Sequence, residues 1–555
     1  MATPEVAAPS PVAPARGVGL PASGRAVARN SATMAAGSVV GRVTGLLRTI
    51  VIGAAIGGAL LGNDYALANN LPNMVYELLL GGVLSAAVVP MLVRARADAT
   101  DGGQAYAQRL LTAATFGLAG ATVLAVAAAP LLTRVIATGA APADRQLITI
   151  LAYLLLPEIF FYGLAALCGA VLNSRGYFAA PMWTPILNNI VVIGTAAVFA
   201  ALPSVSQPAD PATIRTNQIL VLGIGTTLGI VVQSAGLIPA MRRSGFRWKW
   251  RFDWRELQIP QIARIAGWTL FYVAVNQVAV IVVFNIANHA QDPGPAVYNN
   301  AYLMVMMVYG VVAVSITTAL TPRMAAAWHA RQPDEHARLV TMGVRMSLVV
   351  LIPATVLFAL LGRQIGVTLF QFGDFSHDDS VETGWIIVVG AATLIPFAFN
   401  QLQVIAFYAM GDTKTPALAN IPVAAIRIGV DLALFATLPK AWVAAGLMIG
   451  NALSYGVGTV IYSRLLRKRL GTLSMSPVWA TARRLVTAGL VSAFVAGAVL
   501  LVWVPKSGLA KVPSLVEAVV VGALIVGVYL VVAHRLRTPE VRDMTALMTS
   551  RLRRR

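Results

Sequence analysis

The sequence predicts an all-α polytopic membrane protein of about fourteen transmembrane helices, arranged as two parallel six-helix lobes plus a C-terminal helix pair. Three observations carry that prediction. The 555 residues are 57% hydrophobic and only 12% charged, with a mean hydropathy of +0.74, whereas soluble domains carry about 25% charged residues. Apolar runs bounded by Gly, Pro or charge recur along the whole chain at lengths of about 20 residues or more, enough to cross hydrocarbon. Short sequence matches also recur in order at nearly constant offset, as a duplicated chain would show.

The chain opens with Ala- and Pro-rich residues that include Arg16, Arg25 and Arg29 and no apolar core. Residues 1–30 therefore read as a disordered cytoplasmic tail and not as a cleavable signal peptide. The candidate spans are 32–60, 65–93, 107–135, 147–172, 181–202, 216–241, 261–288, 297–322, 337–361, 384–410, 415–437, 441–466, 481–504 and 513–534. Basic residues gather in alternate loops. Arg94 and Arg96 follow span two, Arg175 follows span four, and Arg242, Arg243, Arg247, Lys249, Arg251 and Arg255 separate spans six and seven. Arg323, Arg331 and Arg338 follow span eight, and Arg464, Arg467, Lys468 and Arg469 follow span twelve. The opposite loops hold most of the acids, among them Asp64, Asp144, Asp210, Asp292, Asp374, Asp378 and Asp379. Positive charge marks the cytoplasmic side, so both termini are expected there. The same distribution argues against nucleic acid as the partner for a net charge of +20, because no solvated domain collects it.

The duplication rests on three pairs. Gly176 to Pro181 after span four matches Gly411 to Pro416 after span ten, offset by 235; Pro90 matches Pro322; RLLT at Arg109 matches RLVT at Arg338. The expected organisation is a first lobe over 31–241, a basic amphipathic cytoplasmic linker over 242–260, and a second lobe over 261–470. A helix pair over 471–534 and a basic cytoplasmic tail over 535–555 complete it. Parallel repeats of this kind place substrate between the halves.

Arg42 and Arg48 sit inside the first span, where an Arg at the bilayer centre costs about 2.5 kcal/mol or more and so faces a bundle interior or a watery cavity. Arginine keeps its charge and grips phosphate through a rigid fork of donors. The pair points to a hydrated cationic chamber for an anionic head group; the alternative is that both pair with carboxylates and only lock the bundle. Catalytic constellations do not emerge. A Walker A motif and a metal-spaced His cluster are both lacking, and the lone Cys168 reads as a small buried hydrophobe. The reading is a transporter and not an enzyme, without cofactor or metal, driven by membrane potential or a monovalent cation.

Five segments, SVVGRVTGLLRTIVIGAAIG, ANNLPNMVYELLLGGVLSAAVVPMLVRA, PEIFFYGLAALCGAVLNSRGYFAAPMWTPILNNIVVI, FQFGDF and FYAMGDTKTPAL, resemble the MurJ/MviN family of lipid II flippases in order and position. The resemblance runs from about Ser31 through span twelve, in the style of the actinobacterial branch but without its kinase-like extension. It implies the fold of the multidrug/oligosaccharidyl-lipid/polysaccharide exporter superfamily, a V-shaped pair of lobes around a cationic cavity. Spans thirteen and fourteen would form a groove for a polyprenyl tail. The implied substrate is lipid II, an undecaprenyl-pyrophosphate-linked muropeptide, moved from the inner to the outer leaflet of the bacterial plasma membrane by alternating access. The basic segment at Arg247 adds anionic membrane lipids as partners, and a scaffold role would add cell-wall synthesis and divisome proteins. Arg42 and Arg48 match the family's important arginines of the first span. The chain departs from the Gram-negative pattern at Tyr76, Gly81, Tyr302 and Leu303, where charged residues are expected. A multidrug or cation antiporter of the same superfamily and a non-transporting scaffold for wall-synthesis enzymes are the competing functions.

Several residues are candidates to replace the missing charges. Arg427 and Asp431 lie four apart on one helical face, as an intrahelical ion pair, as cavity lining or as an ion-coupling site. Glu77 and Glu158 are carboxylates at membrane depth, either counter-ions of Arg42 and Arg48 or titrating groups of a coupled cycle. Arg345 either reaches the cavity or snorkels to the interface. Asn276, Gln277 and Asn285 form a polar stripe for helix bridging or sugar binding. Asn69, Asn70 and Asn73 surround Pro72, which removes a backbone donor and predicts a break or hinge, with Gly81 and Gly82 further along. In the loop after span ten, Gly411, Asp412, Lys414 and Pro416 form a tight turn or a brace between lobes. RWKWRFDWRE, starting at Arg247, alternates aromatic and basic residues and belongs at the headgroup level.

Overall fold

The computed structural model describes residues 24–57, 61–78, 91–92, 95–96, 99, 101–203, 214–253, 257, 259–290, 294–471, 473–507 and 509–541. Among them there are helices and turns but no strand. That follows from the sequence, because a bilayer offers no partner to an unpaired backbone group and a helix satisfies its own.

The first lobe comprises α1 (Gly24–Ile56), α2 (Leu61–Leu78), α3 (Gln104–Ala127), α4 (Ala129–Ile136), α5 (Pro142–Leu155), α6 (Glu158–Ser174), α7 (Ala179–Ala201), α8 (Thr216–Ala235) and α9 (Ile238–Arg243). The second comprises α10 (Ile259–Ala290), α11 (Gly294–His329), α12 (Pro333–Phe370), α13 (His377–Gly390), α14 (Leu394–Ala409), α15 (Lys414–Thr437) and α16 (Lys440–Leu470). Two more helices, α17 (Ser476–Ser507) and α18 (Lys511–Arg535), close the described chain. Eleven helical stretches of the described residues are long and apolar enough to cross a membrane. The helices α1, α2 and α11 lie where spans one, two and eight were expected.

Two spans are split near prolines, while Pro72, Pro185, Pro322, Pro353 and Pro422 lie inside continuous helices. A proline gives no N–H and crowds the preceding turn, and span four is split at Leu156–Pro157 into α5 and α6. Span ten is split by a 3-10 turn at Ala391–Thr393, with Pro396 in the first turn of α14. The two breaks fall at equivalent positions of the two lobes.

Lobe-internal packing repeats in the same way. In the first lobe α1 lies on α7, α7 on α8, α2 on α5, and α3 on α6. In the second, α10 lies on α15, α15 on α16, α11 on α13, and α12 on α14. The turn after each split span is also the same motif. Gly176 and Gly411 take φ of 82° and 76°, the left-handed conformation that costs glycine least. Tyr177 N–H donates to the Leu172 carbonyl at 2.9 Å, and Asp412 N–H donates to Phe407 at 3.0 Å, the Schellman closure of a helix. The helix pair α17–α18 packs on itself and against α12. Phe494 and Leu501 on its outer face are each 79% exposed, as lipid-facing side chains should be.

Candidate functional site

Where the lobes meet, helices α1 and α2 of the first lobe face α10, α11 and α15 of the second around a cavity of about 500 Å3. Arg42 and Arg48 of α1, Asn70, Asn73 and Glu77 of α2, and Arg427 of α15 all line it, with Gln277, Tyr302 and Leu303 opposite. A second chamber of about 280 Å3 shares Arg48, Asn73, Asn299 and Leu303 with the first and adds Glu158. The two form one compartment along the lobe interface.

Arg42 and Arg48 are six residues apart, about 9 Å along the helix. Asn189 of α7 fixes α1 here, donating through Nδ2 to Thr44 Oγ1 at 2.9 Å and to the Gly41 carbonyl at 3.2 Å. Gly310 of α11 lets the Arg42 guanidinium lie against its backbone, because a Cβ there would collide with Arg42 Nη1. Among the described residues neither arginine is ion-paired, and the Nε of each is buried without a hydrogen-bond partner. Neither expected counter-ion forms a salt bridge with them, although Glu158 shares the second chamber with Arg48 and interacts with it electrostatically. Glu77 Oε2 accepts from Gln277 Nε2 across the lobe boundary at 2.8 Å. Glu158, 1% exposed, accepts from Thr227 Oγ1 at 3.3 Å.

Arg427 is the second lobe's cation. Its Nε lies 3.8 Å from Asp431 Oδ2, one turn on, with side chains 8% and 1% exposed. Gly450 makes room for that carboxylate, since any Cβ there would meet Asp431 Oδ1. Beside them Tyr298 stacks on Tyr302 at 6.0 Å, and Asn451 Nδ2 donates to the Tyr298 hydroxyl at 3.0 Å. Aromatic faces and an arginine therefore stand where the resemblance led one to expect a charged pair on span eight.

The compartment is closed at the acid-rich end of the lobes. Asn63 Nδ2 donates to Asn288 Oδ1 at 3.1 Å, and Thr138 donates to Asn285 Oδ1 through its N–H at 2.9 Å and its hydroxyl at 2.6 Å. Asn285 Nδ2 returns a bond to the Val135 carbonyl at 2.7 Å. Asp374 N–H donates to the Ala54 carbonyl at 3.0 Å, where Gly57 and Gly373 both take positive φ so that the two backbones meet. Partial burial in this seal pushes the Asp374 carboxyl above its usual range.

Other expected site residues lie elsewhere. Arg345 does not reach the cavity: its guanidinium pairs with Glu540 beyond α18, with Nε 2.5 Å from Oε1. Asn276 donates back to its own helix at Tyr272 and does not line the compartment. Asp431 stands behind Arg427 and not in the wall. The helix α2 runs unbroken through Pro72, contrary to the expected break. Asn70 and Asn73 donate side-chain N–H groups to the Ala66 and Asn69 carbonyls at 3.2 and 2.8 Å, on either side of the Ala68 carbonyl from which Pro72 withholds a helical donor. The Gly411 turn braces within one lobe and not between lobes. Asp412 Oδ1 accepts from Thr415 N–H at 2.9 Å, Lys414 Nζ lies 5.5 Å from the Trp268 ring, and Pro416 gives its carbonyl to the Tyr462 hydroxyl. Gly81, Gly82 and the Tyr76 side chain lie outside the described residues, as do most of both tails.

Sequence reasoning missed two contributors, Asn189 and Gly310, whereas the helix-bridging expectation for Gln277 agrees with its bond to Glu77. The paired amides Asn188–Asn189 in an otherwise apolar run were the available signal for the first. Gly310 carries no signal of its own, because its value lies in what it leaves empty.

A family model described as lipid II flippase MurJ matches residues 52–520. Arg42 and Arg48 precede that stretch, so their assignment rests on the geometry above. The chain is 27% identical over 451 residues to a probable lipid II flippase MurJ of Haemophilus influenzae, covering 78% of this chain and 84% of that protein. It is 26% identical over 466 residues to the lipid II flippase MurJ of Burkholderia cenocepacia, covering 80% and 85%. A solved lipid II flippase MurJ in an inward closed conformation superposes with a TM-score of 0.72 at 17% identity over 90% of this chain and 98% of that one. An inward-facing multidrug resistance transporter of the MATE family and MOP superfamily gives 0.60 at 17% identity, over 79% and 96%. With a two-lobe repeat, a cavity at the lobe boundary and a family match across most of its length, the chain belongs to the lipid II flippase MurJ family.

Proposed function

We propose that this protein carries lipid II from the cytoplasmic to the outer leaflet of the bacterial plasma membrane by alternating access. The observation that carries the reading is the pair of cavity guanidiniums, Arg42 and Arg48, neither held in a salt bridge among the described residues, in a compartment between lobes. A pyrophosphate supplies what they lack, because charge-assisted bonds to a phosphate are among the strongest a guanidinium makes. Arg427 faces the same space from the other lobe, so a bound anion would be gripped from both sides.

The basic end of the lobes is the cytoplasmic one, and both termini lie there. The seal at Asn63, Thr138 and Asp374 then closes the outer side. Loading requires the lobes to part at the basic end, breaking the Glu77–Gln277 bond, and release requires the outer seal to open. The outer faces of α17 and α18 are the surface along which the polyprenyl tail travels. Transport is driven by the membrane potential. Moving a doubly ionised pyrophosphate outward across an inside-negative membrane gains about 2.3 kcal/mol per charge per 100 mV.

The test is depletion of the protein in its host, with complementation by wild type, Arg42→Ala or Arg48→Ala at matched membrane abundance. Outer-leaflet lipid II is the readout. Its loss in either variant while total lipid II rises is the expected result. Full rescue by both variants would remove the phosphate grip.

A further inference from the structure

The connection between the lobes holds a second surface that transport does not use. Residues 246–253 leave α9 as an extended strap and climb along the outside of α3. The side chains of α3 serve as its backbone partners. Gln104 Nε2 donates to the Gly245 carbonyl at 3.3 Å, Gln108 Nε2 to the Arg247 carbonyl at 2.6 Å, and Arg251 N–H donates to Thr112 Oγ1 at 3.1 Å. Arg251 Nε further donates to Gln108 Oε1 at 2.9 Å, and Arg109 is ion-paired with Asp253 at 2.6 Å. From Gln104 to Thr112 is about 12 Å of helix, so the strap rises from the basic end into the depth of a membrane interface.

Its alternation sorts the side chains. Trp248 packs edge-on against Trp250 at 5.6 Å, and Trp250 and Phe252 meet Phe116 of α3 at 6.0 and 5.8 Å. All four rings are turned outward, from 38% exposed at Trp248 to 62% at Phe252. Between and below them Arg242, Arg243, Arg247 and Lys249 are exposed, and none is ion-paired among the described residues. Asp253, the acid at the end of the strap, is already taken by Arg109, which holds its carboxyl below the usual range. An aromatic row on the hydrocarbon side with unpaired cations at its foot matches the two halves of one molecule, an acyl chain and an anionic headgroup.

We propose that the strap is a binding site for an anionic phospholipid, distinct from the central compartment. The rings hold the upper acyl chain and Arg247 and Lys249 hold the headgroup phosphate. Because the strap joins the first lobe to the second, the bound lipid fixes the joint to the first lobe. A generic interfacial belt would take any phospholipid, and that is the outcome to be distinguished.

Full-length protein is reconstituted in phosphatidylcholine vesicles containing phosphatidylglycerol, with bromine on the chains of one lipid or the other. Strap fluorescence is isolated by difference against Trp248→Phe/Trp250→Phe. Brominated phosphatidylglycerol is expected to quench the strap about fivefold more effectively per molecule than brominated phosphatidylcholine, the preference one unscreened surface cation provides. Arg247→Gln/Lys249→Gln, checked for an unchanged melting temperature, is expected to abolish that preference while leaving quenching by phosphatidylcholine intact. Equal quenching by both lipids in wild type, or a preference that survives the charge substitution, would overturn the proposal.

Discussion

Gly310→Ala is the substitution that separates the position of Arg42 from the stability of the fold. In most helices this change helps, because glycine costs roughly 1 kcal/mol relative to alanine in a helix interior. Here the added Cβ would occupy the space of the Arg42 guanidinium, with Nη1, Cζ and Nη2 all in collision. The obstacle is the far end of a flexible side chain and not backbone, so the helix accommodates the methyl group and the arginine withdraws. The fold is expected to keep its melting temperature or gain a few degrees. The anion loses the aim of one guanidinium, and a hydrogen bond to a charged group is worth about 1.5–3 kcal/mol. That is roughly a tenfold to hundredfold loss in the occupancy of the site.

The assay is outer-leaflet lipid II in a depleted host complemented at matched abundance, alongside the melting temperature of the purified variant. Gly310→Ala should resemble Arg42→Ala in transport and wild type in stability. Wild-type transport by Gly310→Ala, in a background where Arg42→Ala is inactive, would refute the claim that this contact places the guanidinium. A large fall in melting temperature would refute the argument that only a side chain is displaced.

Two further outcomes follow from the contacts that close the structure. Asn285→Ala removes the bonds to Thr138 and Val135, and at about 1 kcal/mol for each net bond the outer seal should open at least fivefold more often, read as labelling of a cysteine placed behind it. Glu540→Ala strands the partly buried Arg345 guanidinium and should lower the melting temperature by several degrees, whereas the double change Arg345→Met/Glu540→Met should recover much of it.

Much of the architecture was legible in composition and punctuation. A bilayer forces each backbone group into a helix, so apolar runs map onto helices with ends shifted by a few residues, as in α7 and α15. The duplication was legible because turn chemistry is local: Gly176 and Gly411 must both be left-handed, and their surroundings follow. Arg42 and Arg48 were legible because a charge in an apolar run demands an explanation. Pro72 misled for the opposite reason. It predicts a break from its own missing donor, but a proline forfeits a single ladder bond, and the helical turns on either side carry α2 through it. Arg345 was illegible because its partner, Glu540, is 195 residues away and joins it only when the chain folds past α18.

Where the resemblance leads one to expect charge on α11, Tyr302 and Leu303 carry none, yet the second lobe keeps a cation at the cavity because Arg427 lines it from α15. The substitution changes more than position. An arginine one turn from a buried carboxylate has an internal partner when the cavity is empty, so its desolvation is partly offset before substrate arrives. Arg42 and Arg48 form no salt bridge among the described residues and face the open compartment instead. On the proposed function, an anion entering between the lobes would bridge two arginines of one lobe while drawing a third away from its own carboxylate in the other. The first interaction favours binding outright, and the second binds only as the lobes close far enough for Arg427 to exchange Asp431 for the anion. Differential affinity of that kind is the only means by which a ligand can shift a conformational equilibrium, and here it is divided between lobes so that closure and occupancy favour each other.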